Sequence, residues 1–187
     1  NGGEDSWNVW RRVQGKNSVV GITSMMDNWA EMDDQNDEAG NKCRHIFPGF
    51  IMPHIDSYES SMATFMPKIS RDENNNNDKV WVSYFIVKNS SDFMDVVKTV
   101  SGAVKSSEGD ERGYWYSFAG GGTSSPDYMV VWAFDKYADL DKDQEGVWEL
   151  CEKKHGKKKT DELREKFRNS VEESWSYLWD KSEELSY

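Results

Sequence analysis

The sequence is poor in the residues that usually announce chemistry. It holds 3 histidines and 2 cysteines in 187 residues, too few for a disulfide framework or a paired zinc motif to be read from spacing. No serine stands in a nucleophile elbow and no histidine is common to the two halves, so nucleophilic hydrolysis has no support. Positive charge is also scarce: 23 Lys and Arg face 34 Asp and Glu, a formal net charge of −11. That balance excludes a nucleic-acid backbone as partner, because phosphate binding rests on Lys and Arg displacing counterions. The basic run His155-Gly156-Lys157-Lys158-Lys159 reads as a solvated loop between helices. No apolar stretch reaches the length that crosses a bilayer, and there is no signal-peptide pattern. The opening Asn1-Gly2-Gly3-Glu4-Asp5 reads like the middle of a longer polypeptide. Acidity favours solubility in salty or extracellular media, so a processed protein, secreted or periplasmic, is expected.

Aromatic side chains are abundant instead. Nine Trp, 8 Tyr and 8 Phe supply large buried area per residue, so the chain should fold in spite of a mean hydropathy of −0.86. One segment occurs twice. Met26-Asp27-Asn28-Trp29-Ala30-Glu31-Met32-Asp33 returns as Phe134-Asp135-Lys136-Tyr137-Ala138-Asp139-Leu140-Asp141, an offset of 108 (135 − 27) that also relates Cys43 to Cys151. Val19 to Met26 lies over Asp127 to Phe134, and with a short gap Trp10, Val13 and Gly15 fall on Trp115, Phe118 and Gly120. A register kept over such a span indicates a duplicated unit. Each unit reads as strand, glycine-containing turn, strand and a helix capped by Asp27 or Asp135.

Pattern predicts the remaining elements. Tyr58, Met62, Phe65, Met66 and Ile69 recur at helical spacing from about Asp56, with Pro67 ending or kinking the helix. The polar run 71–78, with Asn74 to Asn77 at its centre, is the expected linker between a first unit, 1–70, and a second, 79–187. Lys79 to Lys88 is a strand apolar on both faces, which must be covered on both sides. Phe93, Val96, Val97, Val100, Ala103 and Val104 form one stripe of a helix capped by Ser90 or Ser91. A hairpin pairs Gly113–Ala119 with Tyr128–Phe134. From Thr160 a long helix is predicted, with Leu163, Phe167, Val171, Trp175, Leu178 and Trp179 inward.

Several constellations hold residue types that could carry chemistry. Asp139, Asp141, Asp143 and Glu145 alternate like a calcium loop, but Gln144 and Leu150 stand where Gly and Glu are required. Cys43, His45 and His54 are ligand types without ligand spacing, and Cys151 and His155 give the second unit no set of its own. No metal and no cofactor is expected, and both cysteines are expected as free thiols. Gly120-Gly121-Gly122 joins two strands and opens no helix, so it is a turn and not a phosphate loop. The candidate ligand-binding residues are Trp10 with Arg12 and, by the internal match, Trp115 with Ser117, since alternation puts each pair on one strand face. An aromatic beside Arg suits an organic acid or aromatic compound, while ordinary core packing is the competing explanation.

Strand, helix, strand, strand, helix is the ferredoxin-like order. Repeated, with doubly apolar strands, it resembles the dimeric α/β-barrel superfamily, which includes antibiotic-biosynthesis monooxygenase-like and stress-response barrel domains. The segments Asp27-Asn28-Trp29-Ala30-Glu31 and Asp135-Lys136-Tyr137-Ala138-Asp139 are also similar to uncharacterised secreted bacterial proteins of this architecture. The resemblance implies an α+β protein of tandem ferredoxin-like repeats forming a pseudo-dimeric barrel. The first repeat lacks its opening strand and helix, which an upstream piece, a homo-oligomer or a partner segment would have to supply. With no duplicated acid, base or nucleophile, the expected function is a non-catalytic binding or structural module. The alternative is a cofactor-independent oxygenase- or isomerase-like enzyme acting on a small organic molecule in the lumen.

Overall fold

The computed structural model describes residues 6–16, 18–33, 41, 44–72, 77–122 and 124–187. It is an α+β protein built on a seven-stranded antiparallel sheet curled into a half-barrel. The strands are β1 (Asn8–Arg12), β2 (Val20–Thr23), β3 (Ala63–Phe65), β4 (Lys79–Val87), β5 (Tyr114–Phe118), β6 (Tyr128–Phe134) and β7 (Val171–Lys181), in the spatial order β2-β1-β7-β4-β6-β5-β3. Among the described residues the α-helices that accompany them are α1 (Ser90–Glu108), α2 (Val147–His155) and α3 (Lys157–Ser170). Strands from 1–70 and from 79–187 therefore share one sheet.

The doubly apolar strand is the middle of the structure. β4 pairs along its length with β6 on one side and β7 on the other. Behind it α1 forms as predicted, with its cap earlier, at Asn89 in place of Ser90 or Ser91. The Asn89 side chain accepts a hydrogen bond from the Asp92 N–H at 3.0 Å, and Gly109 ends the helix at φ 92°, a left-handed conformation that costs glycine little. Phe93 of α1 is fully buried, with ring centroids 5.1 Å from Tyr128, 5.3 Å from Phe85 and 5.6 Å from Phe167. Val96 and Ala103 meet Cys151 of α2 and Leu163 of α3 in a second buried cluster. Cys151 is a free thiol, and the buried Thr160 hydroxyl donates to its Sγ at 3.7 Å.

Three sequence expectations need correction. The long C-terminal helix stops at Ser170, and Val171–Lys181 is a strand between β1 and β4. Trp175-Ser176-Tyr177-Leu178-Trp179 alternates large and small or outward side chains, and the backbone N–H groups of Lys88 and Asn89 both donate to the Ser170 carbonyl, tying the helix end to the end of β4. The helix expected from Asp56 is replaced by β3 and a 3₁₀ turn, Pro67–Ile69. Its backbone is claimed by β5 and the adjoining loop: Met66 N–H donates to Trp115 C=O, and Ala119 N–H donates to Met62 C=O. The segments after Asp27 and Asp135 are 3₁₀ turns, Trp29–Asp33 and Tyr137–Asp141, instead of helices capped by those aspartates. The carboxylate that closes each turn stands further on. Glu31 accepts from the Asn28 N–H at 3.1 Å and Asp139 from the Lys136 N–H at 3.0 Å.

Cys43 and Asn74 to Asn76 lie outside the described residues. Asn77 is partly buried, and its side-chain amide donates to the Asp135 carboxylate. Among the described residues no helix is long and apolar enough to cross a membrane.

Candidate functional site

Residues opposite one another in an antiparallel pair share a face, so the register sorts the sheet into two surfaces. Phe85, Tyr128 and Trp115 lie on the surface that α1 and α3 cover, packed with Phe93 and Phe167. The other surface carries Val80, Val82 and Tyr84 of β4, and Trp175, Tyr177 and Trp179 of β7 opposite them. Arg12 of β1 is the register partner of Trp179. None of these residues belongs to the hydrophobic clusters beneath the helices.

The free surface is held by its own rings. Tyr84 stacks on Trp175 with centroids 5.6 Å apart and planes inclined at 17°. Tyr177 meets Trp179 edge-on at 6.5 Å, and the Arg12 guanidinium lies 4.3 Å from the Tyr177 ring centroid. These rings leave Val80 and Val82 buried although, among the described residues, neither belongs to the clusters packed beneath the helices. The turn between β1 and β2 fixes Arg12 further: Gly15 has φ 85°, and a Cβ there would stand 3.5 Å from both Arg12 and Tyr177. Arg12 Nη2 donates to the Lys16 carbonyl at 3.0 Å. Trp10 turns its indole N–H to Thr23 Oγ1 at 3.0 Å.

Two donors on this surface are unsatisfied. Arg12 Nε and Trp179 Nε1 are buried, and among the described residues neither has a hydrogen-bond partner. A buried unpaired donor costs about 1–3 kcal/mol, so an acceptor brought between these neighbouring side chains would be held firmly. Burial, then Tyr177, pushes the Tyr84 phenol up to about 12, with Arg12 pulling the other way. Burial, then Tyr114, raises the Tyr116 phenol of β5 as well. Both are neutral hydrogen-bond donors near pH 7 and cannot serve as bases there. The acidic residue that the register puts on this face, Glu173, is exposed at its end beside Ile86. A cation, neutral phenols and stacked rings form a surface suited to a flat anion.

The four residues chosen from sequence do not form one site. Trp10 and Arg12 are on the free surface, while Trp115 stacks at 5.9 Å on Phe85 in the helix-covered core, with Ser117 on the same side. β1 and β5 are also separated by β7, β4 and β6. Tyr84, Trp175, Tyr177 and Trp179 were missed as site residues, and their signal was the alternation in β7 that helical spacing concealed. His45, His54 and His155 are exposed and far apart in structural role, in two short loop turns and a helix end.

Elsewhere, Asp72, Asp110 and Glu111 gather their carboxylates within 4.8 Å. Lys105 Nζ already sits between Glu111 at 2.9 Å and Asp72 at 3.2 Å, and Arg71 lies 3.5 Å from Asp110, so protein cations neutralise the group. The outer side of α3, from Lys157 to Arg168, is an open depression with acids and bases interleaved, a solvated helix face. Compared with protein-family models, with curated proteins and with solved structures, the chain gives no match.

Proposed function

We propose that the protein is a non-catalytic binding module whose helix-free sheet surface takes a planar aromatic anion. The observation that carries this reading is the placement of Arg12 over Tyr177 and beside Trp179, on a surface whose phenols are neutral donors. Rings on either side supply stacking area, the guanidinium supplies the counter-charge, and burial strengthens both relative to water. Tyr84 and Tyr116 hold their protons near neutral pH, and Glu173 is exposed at the end of this face, which favours binding over acid–base chemistry.

The architecture supports a relationship to ferredoxin-like barrels. From β4 onward the chain runs β4-α1-β5-β6-α2-α3-β7 with strands in the order β7-β4-β6-β5, a split β-α-β arrangement in which the second helix is broken into two. The 3₁₀ turns Trp29–Asp33 and Tyr137–Asp141, each closed by a reach-back carboxylate, keep the 108-residue offset (137 − 29) in conformation as well as in sequence. Tandem ferredoxin-like units of the dimeric α/β-barrel kind are the reading these features favour.

Calorimetric titration with 2-naphthoate and with the uncharged 2-naphthalenemethanol tests the function. The anion should bind more tightly, and Arg12→Ala should weaken it about tenfold, the effect of about 1.4 kcal/mol, without changing the alcohol. Equal binding of the anion by both proteins would remove Arg12, and with it the proposed site.

A further inference from the structure

The sheet ends in β2 and β3, each hydrogen-bonded on one side only. The internal offset says what belongs between them. β2 begins at Val20 and β6 at Tyr128, and β3 begins at Ala63 and β7 at Val171; both differences are 108 (128 − 20 and 171 − 63). In the second half one strand, β4, pairs with both β6 and β7. Its counterpart in the first half would pair with both β2 and β3. Among the described residues no strand pairs with the open side of β2 or of β3.

Burial marks the same vacancy. Tyr128 stacks on Phe93 of α1 at 5.1 Å, whereas its counterpart Val20 is 56% exposed. Leu163 is 2% exposed against α1, whereas its counterpart Ile55 is 37% exposed. Val20 and Ile22 pair with Arg11 and Val9, and Arg11 pairs with Asp180. Through Asp180 and Lys79 that places both on the surface that α1 and α3 cover elsewhere. Ile22 is nonetheless 69% exposed. Unpaired edges flanked by exposed apolar side chains are what strand addition uses.

We propose that β2 and β3 together receive a partner segment consisting of a strand apolar on both faces followed by an amphipathic helix, the pattern of β4 and α1. The strand pairs with both edges and completes an eight-stranded ring; the helix covers Val20, Ile22 and Ile55. This rests on the sheet edges and the offset, and not on the ligand proposed for the free surface. A ring completed in this way would make that surface its lining.

The probe is a synthetic peptide spanning Lys79–Glu108, added to the full chain and followed by hydrogen exchange and calorimetry. The expected result is one peptide bound per chain, with amide exchange slowed about tenfold or more in both Val20–Thr23 and Ala63–Phe65. Ile22→Asp, at an exposed position that leaves the isolated chain folded, should weaken binding about tenfold or more. Protection of one edge alone, protection of both edges in the free chain, binding that Ile22→Asp leaves unchanged, or no binding at about 100 μM peptide would overturn the proposal.

Discussion

Replacing Tyr84 by Phe removes one hydroxyl and keeps the ring that stacks on Trp175, so it isolates what burial of that hydroxyl does. In the folded chain burial, reinforced by Tyr177 and opposed by Arg12, pushes the phenol from 10.0 to about 12. Unfolded, it loses its proton near 10. Between those values the unfolded chain binds fewer protons than the folded one, so raising the pH draws the equilibrium toward unfolding. The contribution is fully present below pH 10 and is lost as the pH rises through about 12. A shift of two units at 1.36 kcal/mol each is about 2.7 kcal/mol, a large part of the roughly 5–15 kcal/mol that holds a domain together. Urea unfolding at closely spaced pH values through this window would measure it in wild type and in Tyr84→Phe. Lysines titrate in both proteins, and so does Tyr137, which partial burial and its hydrogen bond to Asp180 also raise to about 12. The difference between the two curves therefore belongs to Tyr84. Wild type should lose about 2–3 kcal/mol more than the variant across the window. Parallel curves would show that the hydroxyl is solvated and that the surface around it is open to water.

Phe93→Ala should cost about 3–5 kcal/mol in urea unfolding, since a fully buried ring with four aromatic neighbours cannot be replaced by collapse; a loss under about 1 kcal/mol would contradict the packing of α1 on the sheet. Trp115→Ala should lower the melting temperature while leaving affinity for 2-naphthoate unchanged, because Trp115 packs beneath the helices; a change in affinity would return it to the binding site. Lys105→Met should lower the melting temperature by stranding the buried Glu111 carboxylate, and adding Glu111→Gln should restore part of the loss. No restoration would mean that Lys105 acts through other contacts.

How far the sequence revealed this structure depends on where each signal resides. β4 and α1 were legible because Val80–Val87 is apolar on both faces apart from Ser83, and Phe93, Val96, Val97 and Val104 repeat at helical spacing. β7 was not, because Leu163, Phe167, Val171, Trp175 and Leu178 keep a spacing of three or four across a boundary set by tertiary pairing of Ser170 with Lys88 and Asn89. The turns after Asp27 and Asp135 are too short for periodicity to separate a 3₁₀ turn from a helix. The strand expected beside the first hairpin is not supplied by β7, which pairs with β1 while β2 keeps the open edge. For the candidate site, alternation correctly put Trp10 with Arg12 and Trp115 with Ser117. It could not say which surface the helices would cover, and that choice divides the two pairs.

The account turns on ligand binding at the helix-free surface, and the indole N–H signals in a nitrogen-15 correlation spectrum report on it residue by residue. Adding 2-naphthoate should move the signals of Trp10, Trp175 and Trp179, which share that surface, and leave in place those of Trp115, which packs beneath the helices, and of Trp148, which belongs to α2 and packs against the cluster between the helices. Movement of Trp115 and Trp148 with the other three stationary, or no movement at all, would contradict it.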